Sequence, residues 1–198
     1  MVTIHHRHDF FSIDWLYYEP DPRHAEIIVN EMGVAGSATA VTPGVKMSSI
    51  PEEDDPLLCP AQATKFRRII ARANFLSQDR MDIQYAVKEA ARGMALPRQS
   101  HWEKLLRIAK YLVGHMRYVT KFSRQEQVHA INCYGDSDFA GEVETRKSTS
   151  GGILMLGDHP IKSWSSTQSV IALSTGKAEL YAINKTAASG LGVQSLLH

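Results

Sequence analysis

The stretch GGILMLGDHPIKSWSS, residues 151–166, decides the fold of the C-terminal part of this chain. Strand-forming runs at Gly152–Leu156 and Ile161–Ser165 lie on either side of the turn-forming residues Gly157–Pro160. Two short runs joined by a connection that contains Gly and Pro are typical of a β-hairpin. The stretch therefore predicts two antiparallel strands.

The residues on either side extend this hairpin. Before it, the spacing of apolar residues has a period of about two over Val128–Tyr134, which predicts a further strand. After it, Ser174 and Thr175 precede an alanine-rich segment that predicts a helix over residues 177–197. The C-terminal part is therefore predicted to be a three-stranded antiparallel meander followed by a helix.

Apolar residues recur at helical spacing in three upstream segments, Ala61–Ser77, Asp82–Met94 and His101–Val113. Pro97 separates the second segment from the third, and Gly114 ends the third. Helices followed by a run of strands predict an α+β fold.

The N-terminal segment contains both patterns. Phe10–Tyr18 is rich in aromatic and β-branched residues and predicts one strand, and Pro22 then opens a helix over Arg23–Met32. Ala35–Pro60 has the Gly, Ser, Thr and Pro content of a linker, and we expect its acidic run, Glu52–Asp55, to be a solvated loop. A last strand is predicted over Arg117–Phe122.

The net charge of +1 conceals an uneven distribution. Residues 1–61 carry 3 basic and 10 acidic side chains, residues 62–124 carry 14 and 4, and residues 125–198 carry 5 and 7. The excess of +10 in the middle is typical of a surface that binds a polyanion. Basic helices that are simply solvated explain it equally well.

Composition and targeting signals narrow the class of protein. Hydrophobic residues make up 43% and charged residues 22%, which is ordinary for a globular protein. No apolar run has the ~18–20 residues of a membrane span, and Met1–Phe11 lacks the apolar core of a secretory signal. Cys59 and Cys133 form no CxxC pair, which suggests a reducing compartment. We predict an intracellular protein, cytoplasmic or nuclear, with no membrane partner.

Three acidic residues lie where a metal site would need them. Asp136 and Asp138 directly follow the predicted strand, and Glu179 lies near the start of the predicted helix. Carboxylates at a strand end and on the first turn of a packed helix can converge and hold Mg²⁺. The spacing alone is weak evidence, because such residues are more often turn formers or partners of the helix dipole.

The runs YGDSDFAG at residues 134–141 and TRKSTSG at residues 145–151 surround the first two acids. They resemble the Y-x-D-S/A-D-W-A-G and R-K/R-S-T-S-G motifs of the RNase H domains of copia-type retrotransposon Pol polyproteins. Agreement continues in register at Gly157, Ile161, Trp164-Ser165-Ser166, Gln168, Ile171–Ser174 and Ala178-Glu179. Several motifs in the correct order make chance agreement improbable.

The upstream helices resemble the region between polymerase and RNase H in the same polyproteins. The matching segments are Phe66–Ala71, Arg80–Val87, His101-Trp102 and Leu106–Leu112, while Trp15–Gly44 resembles the segment after the polymerase palm. This resemblance divides the chain into the end of the reverse transcriptase region with a linker (1–60), a helical connection region (61–124) and a partial RNase H-like domain (125–198).

The resemblance implies a fold and a set of site residues. The implied fold is α+β: a helical connection segment, then a partial RNase H-like α/β fold with a three-stranded antiparallel meander and a helix. Asp136 and Glu179 match the first metal-binding aspartate and the glutamate of the family, which implies catalytic and Mg²⁺-binding (or Mn²⁺-binding) roles. The nucleic-acid contacts that we expect are Arg146, Lys147 and Ser148 after the first strand, and Arg67, Arg68, Lys104 and Arg107 on the basic helices.

The sequence also departs from the family pattern. The family site has four carboxylates, of which two are matched here, and the Y-x-D-D motif of the polymerase is not in the sequence. Phe139 replaces Trp, Met81 replaces Pro, Leu180 replaces Tyr, and Thr175-Gly176-Lys177 replaces an acidic stretch. Two carboxylates hold Mg²⁺ weakly, so we expect no robust nuclease activity from this chain alone. The strand Val128–Tyr134 would have a free edge, prone to self-association.

Three functional hypotheses follow. The chain is a piece of an RNase H-type hydrolase and reverse transcriptase polyprotein, acting on RNA–DNA hybrids beside the remaining Pol segments. Alternatively it is a non-catalytic module that binds nucleic acid through its basic helices. The third hypothesis is a degenerate transposon remnant. Salt-dependent binding of a hybrid without cleavage separates the second from the first, and absence of both indicates the third.

Overall fold

The computed structural model describes the chain except for residues 1, 5–6, 12–14, 46–49, 127, 129, 142–144 and 198. Of residues 2–4, 7–11 and 52 it describes the backbone only. The chain divides into two compact units, Met1–Ser123 and Arg124–His198, each of which is described by itself.

The first unit contains an antiparallel sheet. Its strands are β1 (Val2–Ile4), β2 (Arg7–Phe11), β3 (Trp15–Pro20) and β4 (Thr120–Ser123), in the order β1-β2-β3-β4. The single strand predicted over Phe10–Tyr18 is wrong, because β2 and β3 pair with each other and place Phe10 opposite Tyr17. Strand propensity is continuous on both sides of the reversal and therefore does not reveal it.

Four α-helices complete the first unit. They are α1 (Arg23–Met32), α2 (Pro60–Leu76), α3 (Gln84–Ala91) and α4 (Gln99–Gly114), with short 3₁₀ turns at Glu52–Asp54 and Arg92–Met94. The prediction of α1 is confirmed to the residue, and Gly33 ends it with a left-handed φ of 69°. The helix predicted from Asp82 begins at Gln84 instead. The reason is that the Asp82 carboxylate accepts hydrogen bonds from Arg80 and Tyr111.

One apolar core joins the four helices. α1 packs against α2 and α4, and α3 packs against α2 and α4. The largest fully buried side chains of this core are Ile28, Phe66, Ile69, Ile70, Ile83, Leu105, Ile108 and Leu112. These residues come mostly from the positions that the helical periodicity placed on the apolar faces.

A buried arginine connects the α2–α3 turn to the end of α4. Arg80 is only 2% exposed. Its guanidinium donates to Asp82 Oδ2 at 2.6 Å and to the carbonyl oxygen of His115 at 2.7 Å. Since a buried charge is costly without partners, these contacts define how the two segments fit together.

The acidic run in the linker was expected to be solvated, and for Asp55 this expectation is wrong. Asp55 is 7% exposed and its carboxylate accepts hydrogen bonds from the Ser100 N–H (2.8 Å) and the Ser100 hydroxyl (2.6 Å). The backbone beside it pairs antiparallel with residues before α4, through Leu57 and Arg98. The carboxylate thus satisfies donors at the first turn of α4, a requirement that the linker composition does not show.

The second unit is the predicted meander and helix, which are confirmed. β5 (Ile131–Asp138), β6 (Thr149–Leu156) and β7 (His159–Thr167) form an antiparallel sheet in the order β5-β6-β7, and α5 (Thr175–Leu197) packs on β5 and β6. The predicted four-residue connection is shorter: Gly157 and Asp158 form the turn, and Gly157 has a φ of 60°. A register shift beside Leu154 and Met155 accommodates the earlier start of β7. None of the described helices has both the length and the apolar character needed to cross a bilayer.

Candidate metal site and nucleic-acid surface

The two predicted metal ligands lie on β5 and α5. Asp136 is opposite Gly151 of β6, inside β5 and not after it, so the strand predicted over Val128–Tyr134 has the wrong bounds. Gly135 and the polar residues around it are poor strand formers, and pairing with β6 overrides that preference. Glu179 is the fifth residue of α5, just beyond the first turn where it was expected. Both residues are exposed.

The face of β5 that α5 covers is identified by two close approaches. A Cβ atom added to Gly135 would lie 2.3 Å from Thr186 Oγ1, and one added to Gly190 would lie 2.6 Å from Cys133 Sγ. Gly135 and Cys133 therefore face the helix. Because successive strand residues point to opposite faces, Asp136 points away from α5.

The same contacts locate Glu179 relative to β5. Gly190 lies at Cys133 and Thr186 at Gly135, so α5 runs antiparallel to β5. Glu179 precedes Thr186 by seven residues, about two helical turns, and so lies on the same flank of the helix. This places Glu179 at the end of β5 that carries Asp136. The fold brings the two carboxylates to one end of one edge strand but not to one face of it.

The donor chemistry at this edge fits a hard divalent cation. Asp136 and Glu179 supply carboxylate oxygens, the ligands that Mg²⁺ prefers, and neither carboxylate is engaged by another described residue. Within the described part of the chain, no cluster of three or more His, Cys, Asp or Glu side chains is placed to hold a metal. The arrangement can contribute two ligands.

The loop between β5 and β6 holds the next three predicted residues. Arg146 is exposed and has a φ of 55°, and Ala140 has a φ of 50°. Left-handed backbone at a non-glycine residue costs about 1–2 kcal/mol and occurs in turns and at functional sites. Lys147 is half-buried, and its backbone N–H donates to Thr145 Oγ1 at 3.3 Å.

Ser148 has a structural role in this loop. It is 0% exposed, and its hydroxyl accepts a hydrogen bond from the Ala140 N–H at 3.0 Å. A side chain buried in this way cannot reach a bound strand without displacing the loop. We therefore leave Ser148 out of the nucleic-acid contacts that we propose below.

Gln168 is a residue that sequence reasoning did not assign to the site, although it lies in the matching motif. It is 7% exposed, and its Nε2 donates to Ser150 Oγ at 3.0 Å and to the Ala178 carbonyl at 2.8 Å. Its backbone N–H donates to the Ser148 carbonyl at 2.8 Å. Gln168 thus connects the β5–β6 loop, β6 and the first turn of α5, and so positions the turn that precedes Glu179.

The three arginines predicted to contact nucleic acid on the basic helices also contact other residues of the first unit. Arg67 donates from Nε to the Met94 carbonyl at 2.8 Å, and Arg68 forms an ion pair with Glu31 at 2.9 Å. Arg107 donates to Thr42 Oγ1 at 2.9 Å, while Lys104 is half-buried on α4. The guanidinium groups therefore also stabilise the fold of the first unit.

Comparison with known proteins finds transposon Pol polyproteins among the relatives of this chain. It is 33% identical to the retrovirus-related Pol polyprotein from transposon RE2 of Arabidopsis thaliana over 135 residues, which are 68% of this chain and 9% of the relative. It is 34% identical to the corresponding RE1 polyprotein of the same plant, with the same coverage of both chains. The chain belongs to the Pol polyproteins of copia-type retrotransposons.

A further relative covers more of the chain. The uncharacterized mitochondrial protein AtMg00810 of Arabidopsis thaliana is 30% identical over 177 residues, 84% of this chain and 68% of that protein. No family model matches the chain, and neither does any solved structure. This Pol segment spans about a tenth of the length of the transposon polyproteins that it matches.

Proposed function

We propose that this segment of a copia-type Pol polyprotein is the part of its RNase H module that supplies two of the metal-binding carboxylates. The observation that carries the proposal is the position of Asp136 and Glu179. Both lie exposed at one end of β5, without an internal partner among the described residues, in a sequence that resembles the RNase H motifs of the family. The substrate that we propose is the RNA strand of an RNA–DNA hybrid.

Different residues would bind the metal and the substrate phosphates. Asp136 and Glu179 would hold Mg²⁺, or Mn²⁺, which when bound stabilises charge on the scissile phosphate and activates water. Arg146 lies exposed in the loop that follows β5, and Lys147 is beside it, so their cations can pair with phosphates of the same substrate. Gln168 acts as a positioning residue through Ala178, one residue before Glu179.

We further propose that the segment by itself cleaves hybrids poorly. Two carboxylates, one on β5 and one on α5 at the opposite face of that strand, cannot fix two metal positions. Other segments of the polyprotein are then the partners that complete the site, and the free edge of β5 is a place for one of them, or for a second copy of this chain, to pair.

The test is hydrolysis of a labelled RNA–DNA hybrid by the full 198-residue chain in Mg²⁺ and in Mn²⁺. We expect no turnover above that of buffer. Robust turnover that disappears in Asp136→Asn but persists in Asp158→Asn, an exposed carboxylate in the β6–β7 turn, would show that two carboxylates suffice. Direct metal titration followed by calorimetry should show weak binding that both Asp136→Asn and Glu179→Gln abolish. Binding unchanged in both variants would remove the metal assignment.

A second candidate function is hybrid binding without chemistry. The observation that favours it is the excess of 14 basic over 4 acidic residues in positions 62–124. Filter binding of a hybrid between 50 and 200 mM salt tests it, with Lys104→Ala/Arg107→Ala as the variant. Steep salt dependence that is reduced in the variant supports this function. Absence of both binding and cleavage would indicate a degenerate remnant.

A further inference from the structure

The acidic and the basic side chains of α5 lie on different flanks of this helix. On one flank, Thr186 lies over Gly135 of β5, and Glu179 lies two turns earlier on that same flank. On the other flank, Lys185 donates from Nζ to Ser166 Oγ of β7. The two neighbouring residues Lys185 and Thr186 thus point to opposite edges of the sheet.

The flank of α5 toward β7 is basic and aromatic. Tyr181 and Lys177 precede Lys185 by four and eight residues, so all three follow one another along this flank. Tyr181 is 41% exposed, and both lysines are exposed. The one acidic residue of α5, Glu179, lies on the other flank, so no carboxylate of the helix reduces the positive charge here.

The outer strand β7 presents matching side chains. Trp164 is opposite Gly152, and a Cβ on Gly152 would lie 2.1 Å from the indole, so the ring occupies the space that this glycine leaves. Lys162 and Ser166 are two residues away on either side, on the same face. The Lys162 ammonium is 6.0 Å from the centroid of the indole. α5 packs mainly on β5 and β6, and on this face of β7 Lys162 is exposed while Trp164 and Ser166 are partly exposed.

We propose that this surface, the lysine groove formed by Lys162, Trp164, Ser166, Tyr181 and Lys185, binds single-stranded nucleic acid. Two ammonium groups attract phosphates, and α5 places no carboxylate on this flank. The partly exposed rings of Trp164 and Tyr181 offer surfaces on which unpaired bases stack, typically worth about 1–3 kcal/mol per base. Acidic side chains of a peptide would pair with the lysines, but they have no aromatic face to stack on the two rings.

The lysine groove is distinct from the proposed metal site. Glu179 lies on the opposite flank of α5, and Asp136 lies on the opposite face of the sheet. Binding there needs neither carboxylate and no divalent cation. A test performed in EDTA therefore reports on the lysine groove whether or not the proposed hydrolase function is correct.

The test is fluorescence anisotropy of a labelled 12-nucleotide single strand titrated with the full chain in EDTA, at several salt concentrations. Lys162→Ala/Lys185→Gln is the main variant, and Trp164→Phe and Tyr181→Leu examine stacking. Lys88→Ala is the control, because it removes a lysine that is already paired with Glu89 in the first unit. Circular dichroism checks that each variant is folded. Lys162 is exposed, so Lys162→Ala alone should leave the fold intact, and weaker binding by this single variant would not result from misfolding.

We expect the double variant to weaken binding at least tenfold. The slope of log affinity against log salt should fall by about 1.4, because each of the two lost phosphate contacts contributes roughly 0.7. Tyr181→Leu should weaken binding several-fold without changing that slope, and Lys88→Ala should match the unmodified chain. Equal affinity of the double variant and the unmodified chain would overturn the proposal. So would polyglutamate displacing the strand at equal charge concentration, since stacking would then contribute nothing.

Discussion

Gly135 lies in the middle of β5, where glycine has no side chain to pack and is normally unfavourable. Its value lies in the space that it leaves for α5, since a Cβ there would lie 2.3 Å from Thr186 Oγ1 and 3.3 Å from the Ala182 carbonyl. A missing side chain thus determines how closely the helix carrying Glu179 approaches the strand carrying Asp136. Gly135 directly follows the strand predicted over Val128–Tyr134, so the sequence analysis did not predict this contact.

We predict that Gly135→Ala destabilises the second unit by about 1–2 kcal/mol, because the added methyl group forces α5 outward. Gly192→Ala is the control: Gly192 lies in α5, the helix that packs on Gly135, with nothing within 4 Å of an added Cβ, and the change should stabilise by about 0.5–1 kcal/mol. Hydrogen exchange of β5 and α5 amides measures the second unit separately from the first. Recovery of protection in Gly135→Ala/Thr186→Ala would confirm the clash, and equal protection in both glycine variants would contradict it.

At the scale of elements, α4 depends on a segment far from it in sequence. The Asp55 carboxylate accepts from both the N–H and the hydroxyl of Ser100, across 45 residues. Burial by itself would raise the pKa of Asp55, but the Ser100 hydrogen bonds and the nearby positive charges outweigh it, and the pKa is lowered. Asp55, the last residue of the acidic run, thus accepts hydrogen bonds from the first turn of α4, while its neighbour Asp54 is exposed.

We predict that Asp55→Ala destabilises the first unit by about 1–2 kcal/mol, as expected for the loss of a helix-capping side chain. Asp54→Ala removes the same charge from the adjacent, exposed position and should change the stability by less than about 0.5 kcal/mol. Urea unfolding at pH 7 followed by circular dichroism compares the two. A similar loss in both variants would mean that the charge of the run matters, and not the contact with Ser100.

At the scale of the whole molecule, the first unit is stabilised by carboxylates with cationic or hydrogen-bonding partners. The side-chain hydrogen bonds from Arg23 lower the pKa of Asp21 to about 2, against an ordinary value of 3.8. Asp21 Oδ1 also accepts from the Arg23 N–H at 3.0 Å, at the start of α1. A carboxylate whose pKa is lower in the folded state stabilises the fold above its unfolded pKa, and this stability is lost on acidification.

We therefore predict that the first unit loses stability as the pH falls from about 4 to about 2. Asp21→Asn should be less stable than the unmodified chain at pH 7, by about 1 kcal/mol because Arg23 is largely exposed, and the difference should disappear near pH 2. Urea midpoints at five pH values between 2 and 7 measure this. A difference that is constant with pH would show that the ion pair with Arg23 does not stabilise the fold.

The sequence by itself determined the elements whose physics is local. Pro22 and Gly33 were sufficient for α1, and the Gly- and Pro-containing connection after Leu156 was sufficient for the hairpin. The motifs around Asp136 and Glu179 were also sufficient to identify the family. Periodicity, turn residues and motif order depend only on near neighbours in the chain, which is why they could be read directly.

Tertiary structure decided the features that depend on distant partners. The burial of Asp55 against Ser100 and the face of β5 on which Asp136 lies follow from contacts between segments far apart in the chain. The pairing of β2 with β3 joins neighbouring segments, but strand propensity alone did not divide them. A shift of one residue in the register of β5 would turn Asp136 to the other face of the sheet. Strand propensity does not distinguish these registers, but the contact of Gly135 with α5 does.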